Sequence, residues 1–222
     1  MAEDSFAVQR ERMIEAIAAH AEYAAPHIGK VALDPRVMTA MAAVERHEFV
    51  SAEARPYAYF DTPLPIGFEK TVSQPFIVAV MTDLLRLQPG DTVLEVGTGL
   101  GYHAAVLSQL AAAVFTVEIV EELGKAAAAR LHRYGCANVT ARLGDGSAGW
   151  PEHAPFDAIL VAAAPEMLPA ALIHQMKPGG RMVCPSGAPG EQQLMLLEKN
   201  DAGRLTVHEI LPVNFAALEQ PS

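Results

Sequence analysis

A chain of 222 residues that is 51% hydrophobic and 19% charged fits one globular domain, or one with a modest extension, and can bury a substantial core. Its formal net charge of −10, with no basic run to offset it, argues against a protein that tracks nucleic-acid phosphates. Cys136 and Cys184 are too few for a disulfide framework or a zinc cluster. No stretch of 18 apolar residues reads as a membrane span, and Met1 to Arg12 is charged with no apolar leader core, so a reducing cytoplasm is the expected compartment.

Residues 5 to 24 alternate apolar and charged side chains at helical spacing, with Phe6, Val8, Met13, Ile14 and Ile17 set against Arg10, Glu11 and Glu15. Pro26 is expected to stop this helix. A second is expected to start at Asp34-Pro35, an acid cap followed by proline in the first turn, and to run to about Arg46-His47 with Val37, Met38, Met41 and Val44 inward. Both precede the first strand of the α/β unit below, so they are an addition to the core fold, and such additions usually cap a site or supply substrate contacts. From Phe49 to Ser73 periodicity is lost amid Pro56, Pro63, Pro65 and Gly67, and a loop this long in a compact domain is usually functional. Ser73-Gln74-Pro75 then opens an apolar helix from Phe76 to Leu87. Thr71 and Ser73 are left just outside its N-terminus, where free N–H groups and the helix dipole favour an anion.

From Thr92 the pattern becomes β-α-β-α-β. Val93 to Val96 runs into Gly97-Thr98-Gly99-Leu100-Gly101 and then into a helical pattern with Ala104, Ala105, Leu107 and Leu110. The nicotinamide fingerprint G-x-G-x-x-G fails here, because the residue three after Gly99 is Tyr102. G-x-G-x-G after an acidic strand end suits a S-adenosyl-L-methionine (SAM) methyltransferase instead. Glu118 ends the next strand, where a carboxylate meets ribose hydroxyls. Asp145, between Gly144 and Gly146 after the strand Val139 to Leu143, can accept the adenine amino group. Glu118 as part of the next helix cap, and Asp145 as a plain turn acid, are the competing readings. Phe156 to Val161 reads as a buried parallel strand, Pro169 to Met176 as a short helix, and Arg181 to Pro185 as a fifth strand. A closing hairpin is expected over 193–199 and 205–213. The fold class is α/β, doubly wound, with an antiparallel edge. His47 and His103 read as packing or capping residues.

These runs resemble the protein-L-isoaspartate (D-aspartate) O-methyltransferases. The matching stretches are ERHEFV (45–50), YFDTPLPIG (59–67), TVSQPFIVAVMTDLL (71–85), VLEVGTGLGYHAAVL (93–107), GDGSAGW (144–150), PFDAILVAAA (155–164) and QMKPGGRMVCPSG (175–187). The similarity spans roughly residues 30 to 200, and the P-I-G…T-x-S-Q-P loop is its most specific part. It implies a single Rossmann-like class I SAM-dependent methyltransferase domain over 1–222, with extra N-terminal helices and the substrate loop in 1–90 and the SAM-binding core in 91–222. The implied substrate is the free carboxylate of L-isoaspartyl (or D-aspartyl) residues in damaged proteins and peptides, whose methylation begins repair through a succinimide. S-adenosyl-L-homocysteine is the implied product of the donor, and no metal is called for. By the same resemblance Thr71, Val72 and Ser73 close over SAM and substrate, with Ser73 the active-site position. Gly97, Thr98, Gly99, Gly101, Glu118, Asp145 and Gly146 match the SAM contacts.

Two departures bear on the substrate. Phe68-Glu69-Lys70 stands where the family often has a glycine-glutamine pair, and Lys70 would meet either an acidic substrate or solvent. Asn214 to Leu218 stands where the family carries Phe-Val-Pro-Leu, whose backbone helps to hold the peptide, and proline's fixed φ is lost at Ala217. The alternatives are a relative that methylates another small-molecule or peptide carboxylate, and a SAM-binding protein without turnover.

Overall fold

The computed structural model describes residues 2–219, with side chains from Phe6 onward. Helix α1 (Ala2–Tyr23) is followed at once by α2 (Ala25–Ile28). The first helix ends at Tyr23, just before Pro26 as expected, and Pro26 lies in the first turn of α2, where its missing N–H would have no helical partner. Helix α3 (Pro35–Ala43) has the expected cap, with Asp34 Oδ1 accepting the Arg36 N–H at 2.8 Å. It stops short of the expected end, and a 3₁₀ turn over Arg46–Glu48 takes over.

The stretch read as a loop holds a hairpin, β1 (Leu64–Gly67) and β2 (Lys70–Val72), with Gly67 opposite Lys70. Phe68 and Glu69 make the two-residue turn at φ 53° and 56°. Positive φ at both positions matches the twist of the strands. It costs a residue with a side chain about 1–2 kcal/mol, so glycine or asparagine would normally mark such a turn. Helix α4 (Pro75–Leu85) follows, buried along almost its whole length against α1, α3 and the sheet.

The main sheet contains β3 (Thr92–Val96), β4 (Ala113–Glu118), β5 (Val139–Leu143), β6 (Phe156–Val161), β7 (Met176–Ser186), β8 (Gln193–Lys199) and β9 (Leu205–Pro212). Helices α5 (Tyr102–Ser108), α6 (Glu121–Tyr134) and α7 (Ala170–His174) connect its strands. The spatial order is β5-β4-β3-β6-β7-β8-β9. Strands β3 to β7 are parallel, and β8 and β9 add the antiparallel edge. Strand β7 reaches back to Met176, because Phe156 offers a partner there and a register break absorbs Lys177 to Gly180. Chain direction across the sheet reverses between β3 and β6, and ligands of open α/β sheets bind at the carboxyl ends of the strands at such a switch point.

Candidate active site

The glycine turn after β3 opens onto a cleft enclosing about 910 Å³, its solvent mouth included. Gly97 and Gly99 line it at φ 92° and 54°, conformations that let bare backbone face a ligand. The turn is tied to the end of β4: Glu118 Oε2 accepts the Gly99 N–H at 2.7 Å, and Oε1 accepts those of Ile119 and Val120 at 3.0 Å each. Two lone pairs per oxygen leave Oε2 with room for one further donor on the cleft side. Gly146 also lines the cleft, its backbone packed so closely on Val96 that any Cβ would overlap that side chain. Gly101 and Asp145 do not line the cleft. Gly101 caps α5 and packs against Leu131, and Asp145 Oδ1 accepts the Ser147 N–H at 2.8 Å as the cap of a 3₁₀ turn. The bare-backbone turn, the spare acceptor on Glu118 and the bare backbone of Gly146 in the lining together fit an adenosine-bearing donor.

Beneath the turn lies a polar chain that sequence reasoning missed. Thr98 Oγ1 bonds Thr116 Oγ1 at 2.6 Å, and Thr116 bonds Glu95 Oε2 at 2.5 Å. Glu95 is fully buried and its Oε1 has no partner. Burial first, and then the like charge of Glu118, push its carboxyl from 4.5 to about 8, against the hydrogen bond from Thr116. Between those two values the folded state holds a proton that the unfolded chain has released, so stability falls as pH rises through that window and is flat on either side. Thermal melts from about pH 5 to pH 8 should therefore show Glu95→Gln losing less stability than the parent. Parallel profiles would contradict a neutral Glu95.

Hairpin β1–β2 forms the other wall. Lys70, Thr71, Val72 and Ser73 all line the cleft, so the structure brings together every loop residue singled out from sequence. Ser73 does not cap α4. Asp61 does so, its Oδ1 accepting the Phe76 N–H at 2.8 Å while Oδ2 accepts from the Gln74 amide at 3.2 Å. The Ser73 carbonyl is held by Arg46 Nη2 at 2.7 Å. Arg46 is fully buried, lies 4.7 Å over the Tyr102 ring, and leaves Nε and Nη1 without partners. Burial pushes its guanidinium pKa down, with Tyr102 and Asp61 opposing. With its backbone fixed, the Ser73 hydroxyl is left to the cleft, and no described residue takes it as a partner. A second, more open cavity of about 830 Å³, its solvent mouth included, meets the first at Thr71, Ser73 and Phe215.

The C-terminal segment closes the third side, with Phe215 to Glu219 lining the cleft. Loss of proline at Ala217 does not loosen it. Ala164 donates to the Ala216 carbonyl at 2.8 Å and accepts from Leu218 N–H at 2.9 Å. The buried Gln192 side chain clamps Phe215 through both its N–H and its carbonyl, at 2.6 and 3.1 Å. His47 stacks on Phe6 and bonds Tyr59, a packing role as expected. His103 bonds Thr82 at 2.9 Å but also faces the cleft, and burial lowers its pKa to about 3, so it stays neutral. Among the described residues no cluster of histidine, cysteine or carboxylates could hold a metal, and no helix is long and apolar enough to cross a membrane.

A family profile described as protein-L-isoaspartate(D-aspartate) O-methyltransferase matches residues 27–221. A protein-L-isoaspartate O-methyltransferase 1 of Polaromonas sp. is 57% identical over 99% of this chain and 93% of its own. A protein-L-isoaspartate O-methyltransferase 2 of Syntrophobacter fumaroxidans is 53% identical over 98% and 88%. Among solved structures, a protein-L-isoaspartate O-methyltransferase superposes with a TM-score of 0.81 at 28% identity; it covers 94% of this chain, which spans 65% of that one. A Plasmodium falciparum structure bound to S-adenosyl-L-homocysteine shares the fold, with a TM-score of 0.73 at 22% identity over 85% of this chain and 92% of that one. The glycine turn, the Ser73 loop and these likenesses agree: the chain belongs to the SAM-dependent protein-L-isoaspartate(D-aspartate) O-methyltransferase family.

Proposed function

We propose that the two joined cavities bring the free carboxylate of an isoaspartyl residue, in a damaged protein or peptide, into line with the methyl group of SAM, and that the ester formed starts repair through a succinimide. The observation that carries this reading is the junction itself. Thr71 and Ser73 stand where a donor-sized cleft opens into a second cavity rimmed by Pro63, Gln74 and Val213. Bound in the cleft, SAM supplies an electrophilic methyl group on a sulfonium. Gly97 to Gly99 and Gly146 would let it approach the backbone, and Glu118 would accept a ribose hydroxyl. Asp145 stands outside the lining, one residue before Gly146, and its Oδ2 would meet an adenine amino group only at the edge of the cleft.

The acceptor, with an ordinary pKa of about 3.3–3.9, is ionised at neutral pH and needs no general base. What remains is alignment and exclusion of water, where orientation alone is worth about 7–11 kcal/mol. In this reading Ser73 donates a hydrogen bond that turns the carboxylate towards the donor, Thr71 supports it, and Arg46 keeps the loop in place. The two free, buried cysteines suit a reducing compartment, and we assign the cytoplasm. The test is methyl transfer from labelled SAM to an isoaspartyl peptide and to its aspartyl twin. Label should enter only the isoaspartyl peptide; none there, or equal label in both, refutes the reading.

A further inference from the structure

Lys70, the first residue of β2, is the only lysine lining the cleft among the described residues, and its ammonium forms an ion pair with the carboxylate of Glu219. The two groups come from opposite rims, the hairpin and the C-terminal segment, and both face the cleft. Lys70 is mostly sheltered, with 20% of its side chain exposed, while Glu219 is 49% exposed. The tight Phe68-Glu69 turn lies immediately before Lys70, which pairs with Gly67 across the hairpin. A carboxylate of the chain itself thus sits on the cation that faces a site for carboxylates.

We propose that Glu219 is an internal surrogate for the acceptor. It holds Lys70 until an isoaspartyl carboxylate displaces it, and it retakes Lys70 once methylation has made that carboxylate a neutral ester. The inference rests on the isoaspartyl reading given above. Exchanging one carboxylate for another leaves the Lys70 ammonium paired in both states. Methyl transfer balances without a proton: a carboxylate oxygen forms the bond to carbon, the carbon–sulfur bond breaks, and its electrons stay on sulfur as a thioether. Anion and sulfonium both lose their charge. The ester cannot compete with Glu219 for Lys70, so the same exchange that admits substrate favours release of product.

A purely structural bridge makes the opposite forecast, because a bridge pinning the C-terminal segment over the cleft would help any ligand to stay. Calorimetry on the full chain saturated with S-adenosyl-L-homocysteine separates the two, using an isoaspartyl peptide and its α-methyl ester. Glu219→Gln should tighten the acid by about threefold or more and leave the ester unchanged; Lys70→Gln should weaken the acid by about tenfold, 1.4 kcal/mol, and erase the preference for acid over ester. Glu219→Gln weakening the acid, or tightening acid and ester alike, overturns the surrogate. So does an acid-to-ester ratio that neither substitution moves. If the parent methylates the isoaspartyl peptide but that ratio does not respond, the surrogate alone falls. If the parent does not prefer the isoaspartyl peptide to its aspartyl twin, the functional reading falls and takes the surrogate with it.

Discussion

Ser73→Ala is expected to lower kcat/KM for an isoaspartyl peptide by about a hundredfold while raising the Kd for SAM by less than about threefold. The substitution is clean because the other duties of this position belong to different groups. Asp61 caps α4, and Arg46 holds the Ser73 carbonyl, so the variant should fold as the parent does and lose only a hydroxyl. A hydrogen bond to a charged acceptor is worth about 1.5–3 kcal/mol, which corresponds to roughly ten- to more than a hundredfold. Misalignment of the carboxylate puts the loss at the upper end of that range. Initial rates with labelled SAM, beside calorimetric SAM binding, check it. Turnover equal to that of the parent would mean that the Ser73 backbone, and not its side chain, matters.

Glu118→Ala is expected to raise the Kd for SAM by at least about a hundredfold and to lower the melting temperature by several degrees. The carboxylate does two things at once. It accepts three backbone N–H groups, tying Gly99 of the glycine turn to Ile119 and Val120 beyond β4, and it would offer the remaining acceptor site to a ribose hydroxyl. Alanine orphans those donors and frees Gly99 to move. Glu118→Gln should fall between the two, since one amide oxygen still accepts while the amide nitrogen faces N–H groups it cannot serve. Unchanged SAM affinity in Glu118→Ala would remove this residue from the donor site.

Much of this architecture was legible because its signals are local. Val93 to Val96 and Phe156 to Val161 are apolar runs broken only by Glu95 and Asp157 and bounded by turn residues, and Gly97-Thr98-Gly99 announces a turn open to a ligand. Hairpin β1–β2 was not legible, because Phe68 and Glu69 adopt positive φ without the glycine or asparagine that normally marks such a turn. The supports of Ser73 were hidden for another reason: Arg46 lies 27 residues away in sequence, and Asp61 lies 15 residues before the N–H it caps. Glu95 stood in the quoted motif, yet only burial reveals that its carboxyl is neutral. Ala217 looked like a loss of rigidity. Gln192 and Ala164 restore it through contacts that no local pattern encodes. Lys70 was ambiguous between substrate and solvent until the fold brought Glu219, 149 residues on, to meet it.

A crystal structure of the chain with S-adenosyl-L-homocysteine and an isoaspartyl peptide tests the central claim most directly. The peptide should lie in the cavity beside Gln74 and Val213, with its free carboxylate within about 3.2 Å of Ser73 Oγ and facing the sulfur of the bound thioether. A peptide that binds elsewhere, or a carboxylate pointing away from both Ser73 and the sulfur, would contradict the account.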